Sequence, residues 1–558
     1  MLLDRNGNPI NNSKSVSRET LSRAITKFVN SGYSNAGASL DKPIFKLWNW
    51  SGGSPDDDIV ENLPTLWQRS RQLAVEAPLV SGMFELLTTH TVGEGLKVEP
   101  TPDADYLGWS PEDVRRWKSK SLPHWEYYAE SINCDVRQHD NFYELTQLAC
   151  RSMDESGDIL VTLPRFHRLH TPTDMKIQLI EADCCAEPQG AEALEHRRMG
   201  NDLFGGVEIT EYGNVVGYWF FVGHPLARRR VAGRYGSQRE RWIFIPAIAA
   251  ETGIPNVLHL MTMKRPGQRR GIPLIAPLLE LMLILDSYVK SEAIAAKIQA
   301  MFTLVVKAQR PADLLGEFLD MSDDLGQTLT ETMRQSIGKS DIMLGNGIVQ
   351  YLNPDEDVVP VNPSRPSNAF AEFMRFVIQM MGATTGIPYE LLMMNFVASY
   401  SASRASMNMA NTNFKIRRAR IENRFCQPIY EQWMDEAVAK GWIECPGYFD
   451  NPITRRAYTR AAWNGPGMPE IDREKSINAA VAGINDGLIT RSEAVSELTG
   501  GDFYENVAAL GREREAMKAA GILPAEQTAA PMARDPALVN EILQELQALS
   551  GGRINAKQ

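Results

Sequence analysis

Residues 264–285 read KRPGQRRGIPLIAPLLELMLIL. Lys264, Arg265, Arg269 and Arg270 stand among Gly and Pro, and from Ile272 to Leu285 only Pro273, Pro277 and Glu280 interrupt an apolar run. The stretch can be an anion-binding loop at a helix start, a membrane anchor with a cationic flank, or the entry to a buried helix. The anchor fails on two counts. A spanning helix needs about 20 predominantly apolar residues. Here the run is shorter, holds Glu280 and meets Asp286 at once, and a charge at membrane depth costs about 2.5–3.5 kcal/mol. What remains is a helix from Ile272 to about Thr303, which at about 1.5 Å per residue reaches roughly 45 Å. That exceeds a small domain, so the chain builds something elongated. Proline is tolerated in the first turn, so the regular helix starts near Pro277.

Reading outward, a second helix begins near Pro366. Phe370, Phe373, Met374, Val377, Ile378 and Met381 form one apolar stripe on it. Gly386 and Pro388 interrupt it, and a third helix runs from about Ser403 to Ala439 with a kink expected at Pro428. Residues 304–363 between the first two helices are mixed and rich in Gly, Pro and Asn. Upstream, residues 95–260 read as an α+β body. Leu63–Val92 is helical with a break at Pro78, and GEGLKVEP turns into a strand. Asn141–Met153 is a helix leading into SGDILVTLP, residues 206–222 form a hairpin turning at YGN, and Arg241–Ala247 is a strand. Residues 1–62 read as a polar arm with one adhesive point, Ile44–Trp50. The stretch ECPGYFDNPITRRAYTRAAWNGPGMPEID reads as turn-rich. Shorter helices follow it, one opened by a Thr490–Glu493 capping box. Residues 524–535 read as a linker and Pro536–Leu549 as a short amphipathic helix. The fold class expected is α+β.

The 558 residues are 43% hydrophobic and 23% charged, with a net charge of −11. That balance suits a globular protein with a sizeable core and excludes one whose whole surface grips nucleic acid. The six cysteines, Cys134, Cys150, Cys184, Cys185, Cys426 and Cys445, form no CxxC pair. Buried reduced thiols in an intracellular setting are expected, without a disulfide scaffold or zinc ribbon. No catalytic constellation emerges. Gly338–Ser340 reads GKS, but Met333 stands where a phosphate-binding loop needs glycine. His167 and His170 in HRLH lack the glutamate of a zinc protease helix. Asp56, Asp57 and Asp58 read as a solvated loop or helix N-terminus rather than a metal site. Neither a catalytic residue, a metal nor a cofactor is expected.

Two basic clusters remain. One is Lys264, Arg265, Arg269 and Arg270; the other is Lys415, Arg417, Arg418, Arg420 and Arg424. Each can be a solvated face, pair with carboxylates of a neighbouring subunit, or contact DNA phosphates. For the first cluster the neighbour's carboxylates are favoured, because four cations at a helix N-terminus need anions close by.

RPGQRRGIPLIAPLLELMLILDSYVKSEAIAA resembles the corresponding stretch of the lambda-type phage portal proteins. GYSNAGAS, RSRQLA, VGEGLKVEP, SGDILVTLP, IPYELL, YSASRAS and DREKSINAAVAGINDGLITRSEAVSELTGGD follow in family order, over about residues 30–520. AVEAPLVSG departs where many relatives carry an arginine-asparagine pair. The resemblance implies a dodecameric ring at one capsid vertex of the virion, assembled in the host cytoplasm. It implies a channel for double-stranded DNA during packaging and ejection. It also implies docking of the terminase large subunit and then head–tail connector or adaptor proteins, contact with major capsid and scaffold proteins, and no membrane.

The regions it implies are an arm (1–62), a wing (63–265 and 405–464), stem helices (266–303 and 364–385) and a clip between them (304–363). A tunnel loop (386–404), a crown (465–523) and a tail (524–558) complete them. Candidate channel residues are Met393, Met394, Asn395, Phe396, Ser399 and Tyr400. Candidate clip-docking residues are Asp341, Asn346, Asn353, Asp355, Glu356 and Asp357. The alternatives are a DNA-packaging enzyme, a terminase or nuclease, and another head–tail connector or tail component. The first lacks a phosphate-binding loop, and the second suits shorter, more β-rich chains.

Overall fold

The computed structural model describes residues 52–169, 171–188, 200–225, 242–301, 370–396, 400–467, 473–499, 501 and 503–521. The chain divides into a unit spanning Met1–Ile471 and a second spanning Asp472–Gln558.

The first unit opens with three helices, α1 (Pro55–Val60), α2 (Leu63–Glu76) and α3 (Pro78–Thr91). Ser54 caps α1 by accepting from the Asp57 N–H. Ile59 is buried with Leu63, Trp67 and Ala182. Residues 55–60, expected within the polar arm, are helical, because Ile59 has a core to enter. The chain breaks between α2 and α3 at Pro78, as the sequence implied, since proline has no N–H to give the helix. Strand β1 (Lys97–Pro100) and helices α4 (Ala104–Leu107), α5 (Pro111–Ala129) and α6 (Phe142–Ser156) follow. The Asn141 side chain accepts from the N–H groups of Tyr143 and Glu144, and the Glu144 side chain accepts from the Asn141 N–H. That reciprocal cap fixes the start of α6. Gly157, at φ 91°, ends it.

Strands β2 (Asp158–Thr162), β3 (Gln178–Ile180), β4 (Asp202–Phe204), β5 (Val207–Ile209), β6 (Val215–Phe221), β7 (Trp242–Pro246) and β8 (Val257–Met261) come next. They make two antiparallel sheets, in orders β3-β2-β8 and β4-β5-β6-β7. The expected hairpin is β5–β6, turning through Tyr212–Asn214, with the Gly213 N–H returning to Thr210.

A 3-10 turn at Ala276–Leu278 precedes helix α7 (Leu279–Met301). The regular helix thus starts just past Pro277, and Ile272–Ile275, expected to be helical, are not. Helices α8 (Phe370–Thr385), α9 (Tyr389–Leu392), α10 (Tyr400–Ile421), α11 (Gln427–Ala439) and α12 (Pro452–Thr459) follow, then strand β9 (Ala461–Asn464). The irregularity expected at Pro428 is a π-helical stretch at Glu422–Cys426, immediately upstream. Proline offers no N–H to the Arg424 carbonyl, and the helix absorbs that with a wider turn. The segment read as turn-rich contains α12 and β9, and β9 pairs antiparallel with β1.

Three large cores result. An aromatic one joins α5, α6, α11 and β9 around Trp125, Phe142, Phe425, Tyr430, Trp433 and Trp463. A second joins α2, α3, α7, α8 and α10 through Phe84, Leu278, Met282, Val377, Met381 and Phe414. The third backs the four-stranded sheet. The Asp472–Gln558 unit contains helices α13 (Arg473–Asn485), α14 (Arg491–Thr499) and α15 (Phe503–Ala519). Its Thr490–Glu493 box forms as the sequence implied, with each backbone N–H donating to the other side chain.

Candidate functional site at the Lys264–Gly271 loop and the helices beside it

One arginine from each basic cluster reaches the same segment, Asp154–Asp158, where α6 ends and β2 begins. Arg270 is 1% exposed. Its Nε donates to Asp158 Oδ2 at 2.7 Å, and Nη2 to Asp158 Oδ1 at 3.3 Å. Nη1 donates to the carbonyls of Cys185 and Gly205, and Nη2 to that of Ala182. Five N–H···O bonds match the five donors of a guanidinium. The ring of Trp67 covers it, 5.2 Å from centroid to Cζ. Asp158 is fully buried and also accepts from the Gly271 N–H (2.9 Å) and pairs with His259 Nε2 (3.2 Å). Burial alone pushes its carboxyl up, but Arg270 and His259 outweigh burial and hold it well below the usual range.

Backbone shape makes this contact possible. A Cβ on Gly271 would lie 2.0 Å from the Gly157 carbonyl oxygen, and one on Gly157 would lie 2.3 Å from the Ile272 carbonyl carbon. The two glycines let the RGI and SGD backbones touch. The buried Gln268 ties the loop further. Its Oε1 accepts from the Lys264 and Arg265 N–H groups, and its Nε2 donates to the Arg270 carbonyl.

Two more arginines of the loop are held within the chain. Arg265 Nη1 donates to Asp58 Oδ2 at 2.6 Å, while the Arg269 backbone N–H donates to Asp56 Oδ1 at 3.0 Å and its Nη1 to the Gly267 carbonyl. The acidic triplet is thus a helix N-terminus that clasps this loop. Arg417 on α10 donates to Asp154 Oδ1 at 2.5 Å, while the Asp154 carbonyl accepts from Leu274 N–H. Burial raises the Asp154 carboxyl although Arg417 opposes it, and its Oδ2 has no partner. Arg418 donates to the carbonyls of His90, Thr91 and Pro466, and Arg420 to Thr262 Oγ1.

This corrects the expectation for Arg270 and Arg417. Their carboxylates belong to the same chain, and both side chains are buried away from any phosphate. Lys264, Lys415 and Arg424 are exposed. Sequence reasoning missed Asp154, Asp158, Gln268 and the glycine pair. The available signal was SGD, a buried-strand start carrying a carboxylate and in need of a cation.

Met393, Met394, Asn395 and Phe396 follow α9 on the surface, with Met394 73% exposed. Asn395 N–H returns to the Glu390 carbonyl and Met394 N–H to that of Leu391. These two bonds close a Schellman turn, whose left-handed position glycine usually fills. Met394 fills it here at φ 50°. Tyr400 opens α10. Ser399 and the clip residues Asp341, Asn346, Asn353, Asp355, Glu356 and Asp357 lie outside the described residues, as do His170 and Gly338–Ser340.

Helices α7 and α8 meet through Tyr288, whose ring lies 5.5 Å from Phe370 and 5.2 Å from Phe373. Away from that contact, Leu283 is 59% and Phe376 58% exposed, and Ile284, Ile294 and Met380 are exposed too. Five of the six cysteines are buried and none forms a disulfide. Burial pushes the Cys134 and Cys185 thiols up to about 12. Among the described residues no helix is long and apolar enough to cross a membrane.

The fold and the site define a class. This is a large α+β protein that spends many of its buried cations on internal ties and leaves apolar side chains exposed along a helical pair, as well as elsewhere. Residues 41–418 match the model of the lambda family of phage portal proteins, and the chain belongs to that family. It is 23% identical over 510 residues to the portal protein of Escherichia phage N15, covering 89% of this chain and 93% of that one. It is also 23% identical over 512 residues to portal protein B of Escherichia phage lambda, covering 89% and 92%. Among solved structures, the virion of a native gene transfer agent particle matches with a TM-score of 0.39 and 11% identity, over 78% of this chain and 93% of that one.

Proposed function

We propose that copies of this chain close into a ring, twelve in number, at one vertex of a phage capsid. Double-stranded DNA enters and leaves through the ring, which works as a conduit and docking platform without catalysis. The packaging terminase docks first and head–tail connector proteins later. Residues 63–265 and 405–464 are the wing, 266–303 and 364–385 the stem, 304–363 the clip, 386–404 the tunnel loop and 465–523 the crown.

The observation that carries this reading is the apolar outer surface of α7 and α8. Leu283, Ile284 and Ile294 are exposed on α7, and Phe376 and Met380 on α8. Burying each fully is worth about 1.5–3 kcal/mol. A head-to-tail contact repeated around an axis buries them and closes a ring. Family membership supports the same reading. Electron microscopy of the purified protein tests it: rings with a central hole are expected, and monomers or open filaments overturn it.

A further inference from the structure

A second charged cluster lies on the far side of the Arg270 tie, outside the stem and the tunnel loop. Arg270 holds the Ala182 and Cys185 carbonyls, which fixes the turn between them. Cys185 and Phe220 form an antiparallel bridge. Glu181 stands just before the 3-10 turn Ala182–Cys184, and that turn brings it to the segment after β6: His224 Nε2 lies 2.9 Å from Glu181 Oε2. Asp183, on the same turn, completes a group whose ligand atoms all lie within 4.8 Å of one another.

We propose that Glu181, Asp183 and His224 bind one divalent transition-metal ion of the zinc and cobalt kind. The spacing is close to what one ion needs. Two donors 2.9 Å apart, each about 2.1 Å from one ion, subtend about 90° there, so a tetrahedral ion parts them by about half an ångström. The donor set favours this class of metal, because imidazole suits zinc, copper and nickel while magnesium and calcium take oxygen. Charge favours a cation as well. Arg71 Nη2 holds Asp183 Oδ2 at 2.5 Å, so two carboxylates face one guanidinium and leave one negative charge in excess. A carboxylate has two oxygens, and Arg71 on one leaves the other for the ion. Glu181 is exposed, which gives the ion a way in. The bound ion ties the end of β6 to the turn after β3.

This inference is independent of the portal reading and is tested without DNA or capsid. Full-length protein is titrated with Co2+, following its visible absorption, and Zn2+ is then added as a competitor. One Co2+ per chain, displaced by Zn2+, is expected. His224→Ala and Glu181→Gln change surface side chains, and each is expected to weaken binding at least about tenfold, with the circular dichroism spectrum unchanged. Absence of binding up to about 1 mM metal overturns the site. So does equal affinity in His224→Ala, which would place the ion elsewhere.

Discussion

Arg270 shows how one side chain can decide where two segments meet. Its cation is out of water, and five hydrogen bonds, the Asp158 carboxylate and the Trp67 ring offset that cost. Arg270→Ala leaves Asp158 buried with only His259 and the Gly271 N–H to hold it, and a loss of about 3–5 kcal/mol is expected in urea unfolding. Lysine is no substitute, since it offers three donors and no planar fork. The same pair sets an acid limit. Asp158 has a folded value below its unfolded one, so its stabilisation is present above about pH 4 and is lost as the pH falls below that. Stability measured from pH 6 to pH 3 should fall less steeply in Asp158→Asn than in the parent chain; equal slopes would remove Asp158 from the account. Gly271→Ala places a methyl against the Gly157 carbonyl, and loss of soluble folded protein is expected. Met394 works in the opposite sense. A left-handed residue other than glycine costs about 1–2 kcal/mol, so Met394→Gly should raise the thermal midpoint. If it does so while reducing DNA packaging, the thioether is kept for contact and not for folding.

At the scale of elements, what could be read in the sequence depended on whether a segment's neighbours are local. The α2–α3 break, the β5–β6 hairpin and the Thr490 cap depend on residues within a few positions, and each stands where the sequence put it. Helix α5 escaped notice although Ser110, Pro111 and Asp113 announce its start, because Pro123 interrupts its interior. β9 escaped because its partner β1 lies more than 360 positions upstream, beyond any local pattern. For the basic clusters the sequence showed that anions must be near but not whose. Asp154 and Asp158 supply them only once α6 ends between α10 and the Lys264–Gly271 loop. The apolar run after Ile272 was legible as a helix; what it packs against was half legible. Its Leu278–Leu285 portion enters the second core with α8, while Leu283 and Ile284 point outward. Leu283→Glu with Phe376→Glu leaves that core intact and puts charge on the outer surface. Rings should give way to monomers of unchanged helix content in size-exclusion chromatography with light scattering, and persistent rings would place the interface elsewhere.

For the whole molecule, net charge separates a conduit from a clamp. A protein that holds DNA neutralises phosphates with Lys and Arg, and its affinity then falls steeply with added salt. This chain carries −11, and at least six of its nine clustered cations are spent on its own carboxylates, carbonyls and a hydroxyl: Arg265, Arg269, Arg270, Arg417, Arg418 and Arg420. The exposed residues around Met394 are uncharged, and methionine is deformable enough to touch a moving surface without fixing it. The purified protein should therefore bind free duplex DNA more weakly than about 10⁻⁴ M at physiological salt, the weak end of ordinary non-specific binding. Met394→Lys adds one cation per copy at the exposed turn. If that turn faces the channel, binding of linear duplex should strengthen and become salt-dependent, while DNA release from filled particles slows. Tight binding by the parent chain would overturn the conduit reading itself. Unchanged binding by Met394→Lys would move the turn away from the DNA and leave the ring in place.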